Sequence, residues 1–276
     1  MYTWLMQVGV NITLHVVAFA LGAAAGSFLG RLVYRIPRGL IFVRGFSFCP
    51  HCGHRLTLRD LIPLVSYFAL RRRCRYCDVH ISTRYLVIEL VCGGCAVCSW
   101  AAFMSVFAQT GPLLVANAAF FGAAAPVLAA LLYFCVLGIL LLVTYIDTET
   151  REIPNGLCLA LLVCGVLAIF VAPELTLASR VVGLVCVSVP LLLLIVLIPN
   201  AFGGGDVKLL AAAGFLLGWQ NIVVAAAIGI LIGGIYGVYL MVFGEKGAKD
   251  HFAFGPALCV GIATALFFGS RIIVWW

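Results

Sequence analysis

Apolar runs long enough to cross a bilayer follow one another along most of this chain, and they decide what it can fold into. A hydrocarbon core about 30 Å thick takes roughly 20 apolar residues per helix. Candidate spans cover residues 8–30, 85–108, 124–146, 155–172, 179–199, 207–218, 221–243 and 255–274. Residues 109–123 are also apolar, but Gly111-Pro112 argues for a break there. The run at 207–218 is short, which suggests a half-inserted or tilted helix. Of the 276 residues, 64% are apolar and 10% charged, against about 45–50% and about 25% in soluble domains. One soluble core cannot hide that excess, and disordered, collagen-like, disulfide-scaffold and DNA-binding classes are excluded with it. The expected fold is an all-α polytopic membrane protein with about eight transmembrane helices. Lipid is its surroundings, and nucleic acid is not a partner.

The net charge of +7 is unevenly placed. Residues 31–84 hold eleven arginines against Asp60 and Asp78, a local balance of +9. Beside apolar spans, a basic segment marks a cytoplasmic loop. That choice puts the N-terminus outside and residues 147–154, 200–206 and 244–254 on the cytoplasmic side. Lys246 and Lys249 agree with it, while Arg180 and Arg271 are mild exceptions. The chain then divides into a first membrane helix (1–30), a cytoplasmic insertion (31–84) and a membrane body (85–276) that carries Asp147 and Asp206.

The insertion reads Cys49-Pro50-His51-Cys52 and, 21 residues on, Cys74-Arg75-Tyr76-Cys77. Two C-x2-C knuckles let four thiolates converge on one tetrahedral zinc. About 50 residues build little core alone, so a metal staple makes sense there, and a cytosolic setting opposes disulfides. Four cysteine ligands leave no open coordination position, so the zinc, about one per chain, is expected to be structural. His51, His54 and His80 read as surface residues. Cys92, Cys95 and Cys98 fall at i, i+3 and i+6 of an apolar span and read as small packing residues beside Gly93 and Gly94.

Two acidic residues stand at span ends on the same membrane face. Asp147 closes the run Leu140-Leu141-Leu142-Val143-Thr144-Tyr145-Ile146, and Asp206 follows Gly203-Gly204-Gly205. Ionisable groups at such positions are functional candidates. Two carboxylates brought together share a proton, and such a pair can deprotonate a water and protonate an amide leaving group. Glycines before Asp206 let a substrate strand approach the backbone. Taken singly, each aspartate reads more readily as a helix cap or a partner for Arg151 or Lys208; taken with the glycine run and the shared membrane face, catalysis overtakes that reading. Lys208 lies two positions from Asp206 and does not face it along a helix; it reads as snorkelling to the interface. Glu149 and Glu152 either attract a basic substrate segment or are solvated loop charges.

These residues together resemble the type IV prepilin peptidases, membrane aspartic proteases with a G-x-G-D motif. The resemblance runs from about residue 22 to residue 268. It rests on Gly26-Ser27-Phe28-Leu29 and Tyr34-Arg35-Ile36-Pro37-Arg38, and on the stretch Cys49 to Glu89. Ile146-Asp147 with Ile153-Pro154-Asn155 matches the first catalytic site. Gly203-Gly204-Gly205-Asp206-Val207-Lys208-Leu209 matches the second, and Phe254-Gly255-Pro256 resembles the motif opening the last helix. The resemblance implies catalytic roles for Asp147 and Asp206. Gly203, Gly205, Lys208, Glu149 and Glu152 are candidates for active-site support. It implies removal of the basic leader from prepilins and type II secretion pseudopilins at the cytoplasmic face of the bacterial inner membrane. It also implies N-methylation of the new N-terminal residue with S-adenosylmethionine, at a site the sequence does not locate. Two departures stand out: Gly30-Arg31 replaces a common Asn-Val pair, and Ala253 stands where Pro is usual. Neither touches the aspartates, but the first leaves open a peptidase without methyl transfer. A presenilin-type protease would not need the four-cysteine insertion. A zinc-regulated transporter would put polar residues deep in several spans, and these spans are almost purely apolar.

Overall fold

Leucine-, valine- and alanine-rich runs without interior polar breaks form helices, and the chain's helices follow those runs closely. The structure is a computed structural model that describes residues 2–39, 46–116, 125–171, 175–197, 203–243 and 253–274. Lys246, Lys249 and residues 117–123 of the sequence analysis lie outside the described residues. Among the described residues the elements are helical, with two isolated antiparallel bridges in place of any sheet. The chain forms two compact units, Met1–Gly111 and Pro112–Trp276.

The first unit contains two long helices, α1 (Tyr2–Arg35) and α3 (Thr83–Ala116), and between them a short helix, α2 (Val65–Ala69), preceded by the 3-10 turn Leu58–Leu61. Small residues bring α1 against α3: a Cβ on Gly26 would meet the Glu89 backbone, and one on Gly93 would meet the Phe19 ring. Cys92, expected as a packing residue, is 1% exposed there. The break expected at Gly111-Pro112 does not stop α3, which continues to Ala116. Pro112 lies near the C-terminal end of α3 and costs that helix the one bond its missing N–H would have made.

The second unit holds α4 (Ala125–Thr150), α5 (Asn155–Val171), α6 (Leu177–Cys186), α7 (Ser188–Leu197), α8 (Gly204–Leu217), α9 (Trp219–Phe243) and α10 (Gly255–Val274). Pro190 sits in the first turn of α7, where its missing N–H is tolerated. Helix α8, at 14 residues and about 1.5 Å per residue, is too short to cross the hydrocarbon core. It is also the most enclosed element, packed by α5, α6, α7, α9 and α10. Gly183 of α6 and Gly214 of α8 meet backbone to backbone, which leaves no room for a Cβ on either.

Arg180, an exception to the expected charge bias, is fully buried. Its guanidinium donates to the carbonyls of Ala168 at 3.1 Å, Leu216 at 3.2 Å and Phe215 at 3.4 Å, closing the C-terminal ends of α5 and α8. A helix end otherwise leaves such carbonyls unpaired, so this arginine serves packing and says little about topology.

Among the described residues, five stretches are long and apolar enough to cross a membrane: Ile12–Arg35, Thr83–Ala102, Val127–Thr150, Leu177–Leu197 and Trp219–Phe243. Asn155–Phe170 and Gly255–Gly269 are shorter apolar helices. Large apolar side chains such as Leu159, Val196 and Leu231 point outward, as lipid-facing residues do. The chain is an integral membrane protein.

Candidate active site

Asp147 lies in the last turn of α4. Arg151 closes that helix in a left-handed conformation (φ 56°), its N–H bonding the Asp147 carbonyl at 2.9 Å. A left-handed residue just past a helix end is the usual stop, most often glycine. Asp206 lies in the first turn of α8 and accepts the Gly203 N–H at 3.3 Å, the return half of a capping box. The cap reading of Asp206 therefore describes part of what it does. Both aspartates are buried, 5% and 7% exposed. They lie near enough to act on one another electrostatically, and the Cys259 thiol feels both.

A second glycine completes the pair. The Gly255 N–H, at the start of α10, donates to Asp147 Oδ2 at 2.9 Å. A Cβ on Gly255 would stand 2.7 Å from that oxygen, so only glycine leaves the carboxylate its place. The two carboxylates share one arrangement: in each, Oδ2 is held by a glycine N–H at a helix start. Spacing does not reveal the Gly255 contact, because its partners lie 108 positions apart. A glycine followed by Pro256 at a helix start was the available signal.

The supporting candidates are placed differently from one another. Gly203 borders the Asp206 carboxylate, and Gly205 lets α8 approach Ile153, whose Cβ would lie 2.9 Å from an added methyl. Lys208 does not simply snorkel: its Nζ donates to Asn155 Oδ1 at 2.9 Å, tying α8 to the start of α5. Glu149 and Glu152 are exposed. A cavity of about 420 Å³ opens beside the end of α4, lined by Thr148, Arg151, Ile232, Tyr236, Pro256 and Val260 among others. Its walls are mainly apolar, with one cation.

In the first unit, the two cysteine knuckles are copies of one turn. Cys49 N bonds the His54 carbonyl and Gly53 N the Cys49 carbonyl; Cys74 N bonds the Val79 carbonyl and Asp78 N the Cys74 carbonyl. Gly53 (φ 70°) and Asp78 (φ 56°) take the same left-handed position. The four sulfurs lie within 4.8 Å of one another, with Cys49 and Cys77 Sγ 3.8 Å apart. Tetrahedral zinc with Zn–S of about 2.3 Å requires sulfur separations of about 3.8 Å, so the cluster fits a metal ion of that kind. Burial opposes ionisation of Cys49, but hydrogen bonds from the Cys52 and His51 backbone and from the Cys52 and Cys74 thiols outweigh it and bring the thiol down to about 7. His51, His54 and His80 are exposed and outside the cluster, with His54 stacked on Tyr76 across the two knuckles at 3.6 Å. Cys92, Cys95 and Cys98 do not join a metal-holding group among the described residues.

Asp60 fastens the gap between the knuckles. It accepts from Thr57 N at 3.0 Å, Thr57 Oγ1 at 2.7 Å and Arg75 Nε at 2.8 Å. Burial works to raise its carboxyl, but these bonds and the Arg75 charge outweigh it and hold it below its ordinary value.

Comparison with known proteins matches both parts of the chain. The bacterial Peptidase A24 N-terminal domain matches residues 20–103, and the type IV leader peptidase family matches residues 134–238. The chain is 30% identical to the prepilin leader peptidase/N-methyltransferase of Burkholderia pseudomallei (strain 1026b), over 92% of this chain and 85% of that protein. It is 33% identical to the Aeromonas hydrophila protein of the same name, over 83% and 74%. For the Bacillus subtilis (strain 168) protein of that name the figures are 29%, over 93% and 95%. No solved structure matches the chain. With both domains present in order and relatives at this identity over most of their length, the chain belongs to the type IV leader peptidase family.

Proposed function

We propose that this protein is a membrane aspartic endopeptidase that removes the leader from prepilins and methylates the new N-terminus, with Asp147 and Asp206 as the catalytic pair. The observation that carries the reading is the paired arrangement just described: two buried aspartates, each with one oxygen held by a glycine N–H. Neighbouring carboxylates favour a state with one proton between them. The ionised member takes a proton from water, which attacks the scissile carbonyl. The protonated member donates to the amide nitrogen as it leaves. The backbone holds both carboxylates in place before substrate arrives, and such positioning supplies much of the rate.

The relatives named prepilin leader peptidase/N-methyltransferase support the substrate class and the second activity. Pseudopilins of type II secretion belong to the same reading. The arginines of residues 31–84 support a cytoplasmic location for that segment, and hence leader removal at the cytoplasmic face of the inner membrane. With the shorter helices α5 and α10 as spans and α8 as a half-inserted run, the body would complete the count of about eight apolar segments. The apolar cavity at the end of α4 suits an apolar segment following the cleavage point. Its cation, Arg151, disfavours the basic leader there, while exposed Glu149 and Glu152 are suited to it.

Cys49, Cys52, Cys74 and Cys77 would hold one zinc ion. Four thiolates close its shell, so it braces the insertion and takes no part in hydrolysis. S-adenosylmethionine, when bound, supplies an electrophilic methyl group for the new terminal amine. The test is a purified pilin precursor incubated with the protein in detergent, with and without S-adenosylmethionine, and read by mass. The expected product lacks the leader and, with the donor, gains one methyl. An unchanged precursor refutes the peptidase, and a cleaved product with no methyl refutes the transferase.

A further inference from the structure

Between the two cysteine knuckles, every third residue from 59 to 71 is exposed: Arg59, Ile62, Val65, Phe68 and Arg71. The stripe has a cation at each end and three apolar side chains between. Ile62 is 47% exposed, Val65 60% and Phe68 61%, while neighbouring Tyr67 is buried. Clustered apolar exposure rimmed by polar residues marks a surface that meets a partner. The charge on the stripe is unanswered within the insertion. Asp60 is taken by Thr57 and Arg75, and Asp78 by Arg73. The side chains of Arg59 and Arg71 have no hydrogen bond or ion pair among the described residues. Arg71 also closes α2 in a left-handed conformation (φ 50°), the position glycine usually takes, so its side chain stands there against a conformational cost.

The height of the stripe against the bilayer follows from Leu64, which lies within it. Leu64 N donates to Glu89 Oε2 at 2.7 Å, and the Ser27 hydroxyl bonds the same carboxylate. Glu89 lies six residues into α3, about 9 Å along its axis, and Ser27 lies eight residues inside the end of α1. Both helices are among the membrane-crossing stretches. Tyr34 and Arg35 end the one and Arg84 and Tyr85 open the other, residue types that gather at the membrane–water interface. A side chain leaning back toward its helix start recovers roughly half of that 9 Å, which leaves Leu64 about 5 Å inside the start of α3. Interfacial apolar faces sit at a similar depth, about 5–10 Å into the boundary of headgroups and acyl chains. Side chains at this height that protein does not cover meet lipid. We propose that residues 59–71 dock on anionic phospholipid, with Ile62, Val65 and Phe68 entering the headgroup region and Arg59 and Arg71 on lipid phosphates. Charge selects this partner: a zwitterionic surface accepts the apolar side chains, but an anionic one also answers the arginines. A second copy of the chain would set these arginines against their like. The proposal rests on the membrane spans and is independent of the peptidase reading.

The test places a photolabel in the zinc-loaded full chain, Phe68→p-benzoylphenylalanine, in nanodiscs of equal phosphatidylglycerol and phosphatidylcholine with the same acyl chains. Irradiated protein is read by mass. The same label at Leu231, 64% exposed on α9, reports ordinary lipid contact. Position 68 is expected to give lipid adducts at no less than about a tenth of the yield at 231. The ratio of phosphatidylglycerol to phosphatidylcholine adducts should be about fivefold higher at 68 than at 231, the worth of one arginine at an anionic surface. Arg59→Gln with Arg71→Gln should bring the two ratios together. Raising the salt should do the same without any substitution, since exposed charges are screened, and it decides the point should the arginine variant not fold. A lower lipid yield, adducts to this chain or to a second copy in place of lipid, or a ratio at 68 that neither exceeds that at 231 nor responds to salt would each overturn the proposal.

Discussion

Gly255→Ala adds one methyl group at the point where the structure leaves least room beside the proposed chemistry. The new Cβ would stand 2.7 Å from Asp147 Oδ2 and 3.0 Å from its Cγ, where ordinary contact begins near 3.4 Å. The carboxylate must therefore retreat by about 0.7 Å, since the methyl sits on helix backbone and has no rotamer to escape into. Retreat is constrained too, because Val143 and Ile146 around Asp147 are 0% and 1% exposed. A catalytic group displaced by about 1 Å costs on the order of 10²-fold in rate. We expect kcat/KM for leader removal to fall by roughly 30- to 100-fold, about 2–3 kcal/mol of transition-state stabilisation.

Stability should fall only modestly, since overpacking a buried site costs about 1–3 kcal/mol and the preference of a helix for alanine offsets part of that. Gly255 is not among the glycines with positive φ, and alanine is the better helix former by up to about 1 kcal/mol. Loss of activity with little change in melting temperature would then be a local effect on Asp147. Gly156→Ala, on α5 with nothing within 4 Å of the added methyl, is the matched control and should cleave like the parent. The assay is steady-state cleavage of a pilin precursor in detergent. A folded Gly255→Ala protein cleaving within about threefold of the parent would show that Asp147 does not need this position.

Asp147→Asn and Asp206→Asn keep size and, at Asp206, the acceptor for Gly203 N–H, so both should fold. Each should lower cleavage by at least about 10²-fold, and the double variant should cost little more than either single one; a folded Asp206→Asn near the parent rate would end the assignment. Cys74→Ser should take bound zinc, by elemental analysis, from about one per chain toward none and lower the insertion's resistance to proteolysis. Unchanged zinc content would refute the cluster's role. Arg180→Met removes three hydrogen bonds to buried carbonyls and should cost on the order of 3 kcal/mol, read as a lower melting temperature; no change would mean that water reaches those carbonyls. Asp60, held below its ordinary value of 3.8, contributes stability that is complete above about pH 4 and is lost as pH falls through its lower native value. Asp60→Asn should flatten the acid limb of the melting curve below pH 4, and an acid limb identical to the parent's would refute this.

What could be read from the sequence was what is local or periodic. The cysteine knuckles place ligands two residues apart, so chain geometry alone brings each pair together, and the structure gathers all four. Apolar length reads directly as membrane helices. Asp147 and Asp206 stood out because carboxylates are rare at span ends, although they stand 59 positions apart. The rest depended on long-range packing. Arg180 carries the same letter as a topogenic arginine and differs only in three carbonyls reaching it from α5 and α8. The link from Lys208 to Asn155 needs α8 to lie on α5, which no spacing states. That Ile62, Val65 and Phe68 stay exposed while Tyr67 is buried is visible only once every neighbour has been placed.

The arrangement at the two aspartates also explains why glycine crowds both motifs. Helices α8 and α10 both begin there, and unpaired N–H groups at a helix start carry partial positive charge. Gly203 and Gly255 each turn one such N–H onto an Oδ2. A side chain at Gly255 would occupy the carboxylate's own position, and one at Gly205 would push α8 off Ile153. A lysine or arginine could supply the same positive charge, but on a flexible stem whose ordering would have to be offset. Backbone donors at two packed helix starts are already ordered by folding, and they leave the carboxylates' remaining oxygens for the water and amide of the proposed mechanism. Positive charge enough to tolerate a buried carboxylate pair, and the close approach of both helix starts to it, come here from the same missing side chains.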